Sequence, residues 1–247
     1  MDNCEIKNKE NKNYKEKYDK INIEGCSIIS TGAEAVVYEN TKNNDFLFPT
    51  VIKKRISKTY RIAELDKNIR KTRTKKEVKF INKIEELKNK QKLYINLPKL
   101  VKYDNSAIEM QKIEGITVKE AINRLENINA MSSIHEILKT CGLFIYELHK
   151  NNIIHGDLTT MNFMIKETEF HNDLSVNSIR NNLFMLDFGL AQNTCKVEDK
   201  ATDIFTFEKA IECVHKDEYT KYIYEGYILD KETKNKLSEI TKRGRKK

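Results

Sequence analysis

Asp157, Asn162 and Asp187 carry oxygen ligands on two short segments, His155-Gly156-Asp157-Leu158-Thr159-Thr160-Met161-Asn162 and Leu186-Asp187-Phe188-Gly189. Their types suit phosphoryl transfer. That reaction is stabilised mainly by position and charge: a carboxylate near the attacking oxygen, and oxygen ligands that hold Mg²⁺ across the β- and γ-phosphates of ATP. Asp157 is the candidate catalytic carboxylate, and Asn162 and Asp187 are the candidate metal ligands.

The step from Asp157 to Asn162 matches the H-x-D-x-x-x-x-N of kinase catalytic loops, and Asp187 opens the matching D-F-G. Taken singly, each segment has a plain structural reading. H-G-D can be a turn whose Asp caps a helix, and D-F-G a turn that ends a strand. Both, however, follow apolar runs, Ile153-Ile154 and Leu183-Phe184-Met185-Leu186, and the ordered pair favours two loops projecting from anchoring strands.

A cation must meet the α- and β-phosphates. Thr50-Val51-Ile52-Lys53 is a β-branched strand ending in lysine, as V-A-I-K requires. A helix is expected from about Leu65 to Leu87, with Glu77, Phe80, Ile81 and Ile84 on one face. An acid on that apolar stripe points inward and needs a partner. Lys53 and Glu77 are therefore the expected pair, with Glu64, ahead of the main amphipathic run, as the rival acid.

The phosphate-covering loop lies between the flanks of Ile28–Tyr38 and has one glycine, Gly32, where G-x-G-x-x-G is usual. Glu34 within it is a candidate to restrain the loop or to meet the metal. Val37 and Val51 are candidate covers for adenine, with Met164 beneath, although each could equally be core. Asn40 to Asp45 reads as a hairpin turn. Ile108 to Gly115 reads as the last strand of the small lobe running into a hinge, whose backbone from Gln111 to Ile113 would bind the adenine edge.

The second lobe should be helical, with a stripe of Ile137, Leu138, Cys141, Phe144, Ile145 and Leu148 that delivers the chain to the catalytic loop. Residues 166–182 read as a variable polar loop, and His149 and His171 as exposed or structural side chains rather than metal ligands.

Composition bounds the partners. The net charge of +8 conceals two basic zones: residues 52–92 hold sixteen Lys or Arg against five acids, and Lys242-Arg243-Gly244-Arg245-Lys246-Lys247 adds five cations. Residues 93–241 are mildly acidic, with seventeen bases and twenty-three acids. That pattern suits a polyanion. A solvated helix face accounts for the first zone equally well, whereas the end, with no apolar residue to pack, is the stronger candidate for nucleic-acid contact through Lys242, Arg243, Arg245, Lys246 and Lys247. Five cysteines without a C-x-x-C pair give neither a disulfide framework nor a zinc site. The polar start and the lack of a long apolar run predict a soluble protein, cytoplasmic or nuclear, with no membrane partner.

Further motifs make a resemblance specific: Gly32-Ala33-Glu34-Ala35-x-Val37-Tyr38, Lys58-x-Tyr60-Arg61-Ile62-x-Glu64-Leu65-Asp66, Arg73-Thr74-x-x-Glu77, Asp187-Phe188-Gly189-Leu190-Ala191 and Val197-Glu198-Asp199-Lys200-Ala201-x-Asp203. Together with the catalytic loop they resemble the small atypical kinase subunits of the KEOPS/EKC complex, the PRPK-type family related to RIO kinases, over roughly residues 24–247. The resemblance implies an α+β, bilobal protein-kinase-like fold: a polar extension 1–22, a β-rich N-lobe 23–113, a reduced helical C-lobe 114–241 and a basic tail 242–247. It implies ATP and Mg²⁺ as cofactors, phosphorylation of Ser/Thr in vitro, and support of tRNA threonylcarbamoyladenosine formation beside a threonylcarbamoyl-transferase subunit, other KEOPS/EKC subunits and tRNA. By position it implies Lys53 and Glu77 as the ion pair, Asp157 as base or water-orienting acid, Asn162 and Asp187 as Mg²⁺ ligands, and Asp203 as the brace of the catalytic loop. The polar extension and residues 166–182 depart from the family.

Only eight residues separate Gly189 from Glu198, too few for an activation loop and its A-P-E platform. ATP hydrolysis is accordingly favoured over general protein phosphorylation. A small-molecule phosphotransferase of aminoglycoside or choline kinase type, which shares the H-G-D-L loop, and a non-catalytic RNA-binding scaffold remain as alternatives.

Overall fold

Val36 to Tyr38 and Thr50 to Ile52 favour pleated backbone. In the computed structural model of the chain, which describes residues 25–41, 46–167 and 176–244, they lie at the centre of a five-stranded antiparallel sheet. Its strands are β1 (Cys26–Thr31), β2 (Ala35–Asn40), β3 (Thr50–Arg55), β4 (Leu100–Tyr103) and β5 (Ala107–Gln111), in the order β1-β2-β3-β5-β4. β1 and β2 turn at Gly32, whose N–H donates to the Ala35 carbonyl at 2.8 Å. The connection after β2 is longer than the expected turn from Asn40 to Asp45, because Pro49 has no N–H for a ladder and β3 begins only at Thr50. Residues 42–45 of that turn lie outside the described residues.

Helix α1 spans Ala63–Asn89, two residues longer at each end than expected. Glu64 and Asp66 in its first turn and Lys88 in its last complement the helix dipole. Its inward face buries Glu77, Phe80, Ile81 and Ile84, each apolar side chain contributing about 1.5–3 kcal/mol. Phe80, Ile81 and Ile84 join the core of the second lobe, while the sheet keeps a small cluster of its own around Val36, Tyr38 and Ile56. The helix is thus rooted in one lobe and presents Glu77 to the other.

The second lobe opens with β6 (Gly115–Thr117), which pairs with β8 (Phe163–Lys166), itself paired with β9 (Leu183–Met185). Helices α2 (Val118–Asn127) and α3 (Met131–Lys150) follow β6, and Ile137, Leu138, Cys141, Phe144, Ile145 and Leu148 of α3 are all buried, as the stripe predicts. β7 (Ile153–Ile154) pairs antiparallel with β10 (Gln192–Asn193). The pair pinches together the two loops that carry Asp157 and Asp187. Helices α5 (Val197–Glu212), α6 (Thr220–Gly226) and α7 (Lys231–Gly244) complete the lobe. Among the described residues, no helix is long and apolar enough to cross a membrane.

Two expectations change. The segment 166–182 is not wholly a loop: Val176–Asn182 forms α4, with Ile179 buried in the main core and the Asn96 amide donating to the carbonyls of Arg180, Asn181 and Leu183. One apolar anchor among polar residues was too sparse a signal. Residues 168–175, with His171, lie outside the described residues, as does the extension 1–22. At the other end, Lys242 and Arg243 belong to the last turn of α7 rather than to a separate tail, and Arg243 meets Glu198 at 3.4 Å and Glu239 at 3.6 Å. The cations there complement the C-terminal dipole. Arg245, Lys246 and Lys247 lie outside the described residues.

Candidate phosphoryl-transfer site

Side chains two apart on a strand share a face. Val51, Lys53 and Arg55 of β3 therefore point the same way, Val51 and Arg55 buried and Lys53 between them. Lys53 Nζ lies 2.7 Å from Glu77 Oε1 and 2.7 Å from Asp187 Oδ1, and so ties strand, helix and loop together. Arg55 Nη2 holds the other oxygen of Glu77 at 2.6 Å. Glu64, the rival acid, is exposed and accepts from its helix neighbour Asn68.

Asp187 sits at φ 60°, a left-handed conformation in which its carboxylate accepts from the Gly189 N–H at 3.3 Å. Burial pushes its carboxyl pKa up, but the Lys53 ammonium, Arg55 and the Gly189 N–H outweigh that and hold it below the ordinary carboxylate value. The group is an anion at neutral pH.

The catalytic loop is braced from α5. Asp203 Oδ2 accepts from the His155 N–H and Oδ1 from the Gly156 N–H, each at 2.9 Å. His149 Nε2 stands 3.0 Å from the same carboxylate, and its Nδ1 is 2.9 Å from the Tyr227 hydroxyl. The buried His149 is thus a structural side chain. Gly156 adopts φ 81° so close to Leu190 that a Cβ would meet its carbonyl oxygen at 2.8 Å. His155 Nε2 lies 2.9 Å from the Leu186 carbonyl, while the Leu186 N–H donates to Asn162 O at 2.8 Å. The two loops are thereby fixed to each other. Asn162 Nδ2 donates to Asp157 O at 2.7 Å and to Asp157 Oδ2 at 3.4 Å, which leaves the amide oxygen as the atom it can offer a cation.

Burial raises the Asp203 carboxyl pKa, but His149, His155 and the loop N–H groups outweigh it and hold the group below its ordinary value. Its stabilisation is therefore complete above the unfolded pKa of about 3.9 and is lost as pH falls through the lower folded value. Asp203→Asn should cost about 3 kcal/mol near neutral pH, where it breaks a buried charged cluster. The cost should shrink below about pH 4, which thermal melts of both proteins across that range would measure.

The loop at Gly32, the candidate phosphate cover, is latched. Glu34 pairs with Arg73 at 2.6 Å and Arg61 at 3.6 Å, and Lys58 Nζ donates to the Ala33 carbonyl. Of the two tasks considered for Glu34, restraint is the one its contacts supply. Val37 is half-buried opposite Lys53, Val51 is buried opposite Met110, and Met164 on β8 is half-buried between Thr117 and Phe184. Gln111 ends β5, with its N–H on the Lys99 carbonyl, and Ile113 is buried two residues on. Among the described residues, no side-chain hydrogen bond or ion pair joins these five to the Lys53–Asp187 cluster.

Asp187, the Asn162 amide oxygen and Asp157 are hard oxygen donors, a set that fits Mg²⁺. Among the described residues no cluster of three or more His, Cys, Asp or Glu makes a closed metal cage. Mg²⁺ takes few protein ligands and completes its shell with phosphate and water. Sequence reasoning missed Arg55 and overlooked Arg61 and Arg73 as the partners of Glu34. The period of two from Lys53 would have found Arg55.

The RIO domain family matches residues 48–175, a span that holds Lys53, Glu77, Asp157 and Asn162. A solved structure described as WaaP in complex with acyl carrier protein shares the fold, with a TM-score of 0.60 over 89% of this chain and 88% of its own at 9% identity. Fold and site together define a kinase-type protein of the RIO class. The EKC/KEOPS complex subunit BUD32 of Enterocytozoon bieneusi is 38% identical over 229 residues, covering 89% of this chain and 98% of the relative. The chain belongs to the Bud32 family of kinase-like proteins. A probable bifunctional tRNA threonylcarbamoyladenosine biosynthesis protein of Methanococcus maripaludis is 33% identical over 226 residues, which are 88% of this chain and 36% of that longer protein.

Proposed function

We propose that this chain binds and hydrolyses Mg²⁺–ATP as the kinase-like subunit of a KEOPS/EKC assembly that supports tRNA threonylcarbamoyladenosine formation. The observation that carries the chemistry is Lys53, set 2.7 Å from both Glu77 and Asp187. The names of the relatives carry the setting. When bound, Mg²⁺ neutralises charge across the β- and γ-phosphates. Asp187 and Asn162 would hold it, Lys53 would meet the α- and β-phosphates, and Asp157 would orient the attacking oxygen. The loop at Gly32 covers the phosphates. Val37, Val51 and Met164 enclose adenine, and the backbone from Gln111 to Ile113 binds its edge.

With only eight residues between Gly189 and Glu198, water is a better acceptor than a docked peptide, so Ser/Thr phosphorylation is secondary. The partners are the threonylcarbamoyl-transferase subunit, other KEOPS/EKC subunits and tRNA, in the cytoplasm or nucleus. Mg²⁺-dependent ATP turnover, measured with and without the transferase subunit and tRNA, tests this reading. Stimulation by both supports it. Turnover driven instead by an aminoglycoside or choline would make the chain a small-molecule phosphotransferase, and none under any condition would make it a scaffold.

Two basic stretches suit the tRNA backbone. Lys67, Lys71, Lys75 and Lys79 recur every four residues on α1 and are all exposed. The other is the end from Lys242 to Lys247. Each neutralised phosphate steepens the fall of log K with log salt by about 0.7 to 0.9, so removing residues 242–247 should flatten the tRNA-binding slope by about 2 to 4 units. Arg243, already paired with two acids, should contribute least. An unchanged slope would move the contact to the α1 stripe.

A further inference from the structure

Glu77 is held by two cations of β3, Lys53 at one oxygen and Arg55 at the other. They differ in what else they touch. Lys53 is shared with Asp187, and in the proposed function it turns to the nucleotide phosphates. Arg55 is buried, and its far end lies against the Asp187-Phe188-Gly189 turn: a Cβ on Gly189 would stand 2.6 Å from Arg55 Nη2 and 3.2 Å from Asp187 Oδ1. Arg55 Nε is buried with no hydrogen-bond partner among the described residues. An unsatisfied buried donor of that kind is costly, a poor arrangement for a group whose only task is stability.

We propose that Arg55 is a positioning residue that holds Glu77, and with it α1, against the Asp187 turn while Lys53 is free to change partner. The guanidinium fork is rigid and always charged, so it can grip Glu77 and stand against Gly189 at the same time. Two further ties run from α1 across the same turn, Lys76 Nζ to the Leu190 carbonyl at 3.5 Å and Lys83 Nζ to Asn193 Oδ1. Helix α1 is thus kept in place without a long ordered segment after Gly189. Only the change of partner by Lys53 rests on the nucleotide reading.

Amide hydrogen exchange across residues 74–84 of the full chain, without nucleotide, compares Arg55→Met, Arg55→Lys and Lys53→Met. Arg55→Met should raise exchange about tenfold or more, Lys53→Met should change it little, and Arg55→Lys should recover most of the protection. In ATP turnover Arg55→Met should lower kcat about tenfold or more while KM for ATP stays within about twofold, as expected when geometry rather than binding is lost. If Arg55→Met does not fold, Arg55→Gln, which is polar but lacks the charged fork, takes its place against Lys53→Met on the same readings. Equal loosening of α1 by Lys53→Met, or wild-type kcat in a folded Arg55→Met, would overturn the proposal. A wild-type chain that never turns over ATP would sink the nucleotide reading and leave the exchange comparison standing.

Discussion

Asp187→Ala should abolish Mg²⁺-dependent ATP turnover, with a fall of about 10³-fold or more, the scale set by losing charge stabilisation at a transferring phosphoryl group. Asp187 is kept ionised by Lys53 and Arg55 and is presented from a left-handed turn. Asp157→Ala should behave differently. Among the described residues Asp157 hydrogen-bonds to His155 and Asn162 and forms no ion pair with Lys53, so nucleotide affinity should survive while kcat drops about 10²- to 10⁴-fold. Calorimetric titration with Mg²⁺–ATP alongside phosphate release separates the two losses. Near wild-type turnover in Asp187→Ala would remove that residue from the metal site.

The second large effect concerns the pair. Lys53→Ala, Glu77→Ala and the double variant should each lose similar turnover, about 10²-fold or more, because a unit broken once gains little from being broken again. Stability should not follow. Lys53→Ala leaves Glu77 with Arg55, whereas Glu77→Ala leaves the buried Arg55 without its ion-pair partner, a loss of about 3–5 kcal/mol. Thermal melts should therefore rank Glu77→Ala well below Lys53→Ala, with the double variant close to the former. Additive turnover losses would mean that the two residues act separately.

The kinase-like fold was legible because its signals are local and dense: a β-branched strand ending in Lys53, an amphipathic run at Phe80, Ile81 and Ile84, and two loops each behind an apolar strand. The inward aim of Glu77 was legible too, since an acid on an apolar stripe must follow that stripe into the interior and meet a cation there. Other features depend on contacts between distant segments, which spacing does not reveal. Glu34 meets Arg61 and Arg73 only because β1, β2 and α1 come together. Helix α4 rests on Ile179 and on caps from Asn96, more than eighty residues earlier. Arg55 went unread for another reason: in a zone of sixteen bases, one more cation carries little information.

The short contact between Lys53 and Asp187 has a consequence for the order in which ligands can load. A bare divalent ion approaching the carboxylate must compete with an ammonium group already 2.7 Å away, and it brings no anion to draw that ammonium off. A nucleotide brings its own phosphates, which attract the lysine and release the carboxylate in the same act. On the proposed function, ion and nucleotide would therefore reinforce each other's affinity by the same factor. The cleft would discriminate against free Mg²⁺ and admit it as part of a salt with a polyphosphate, so swings in the concentration of the free ion alone would leave the protein unloaded.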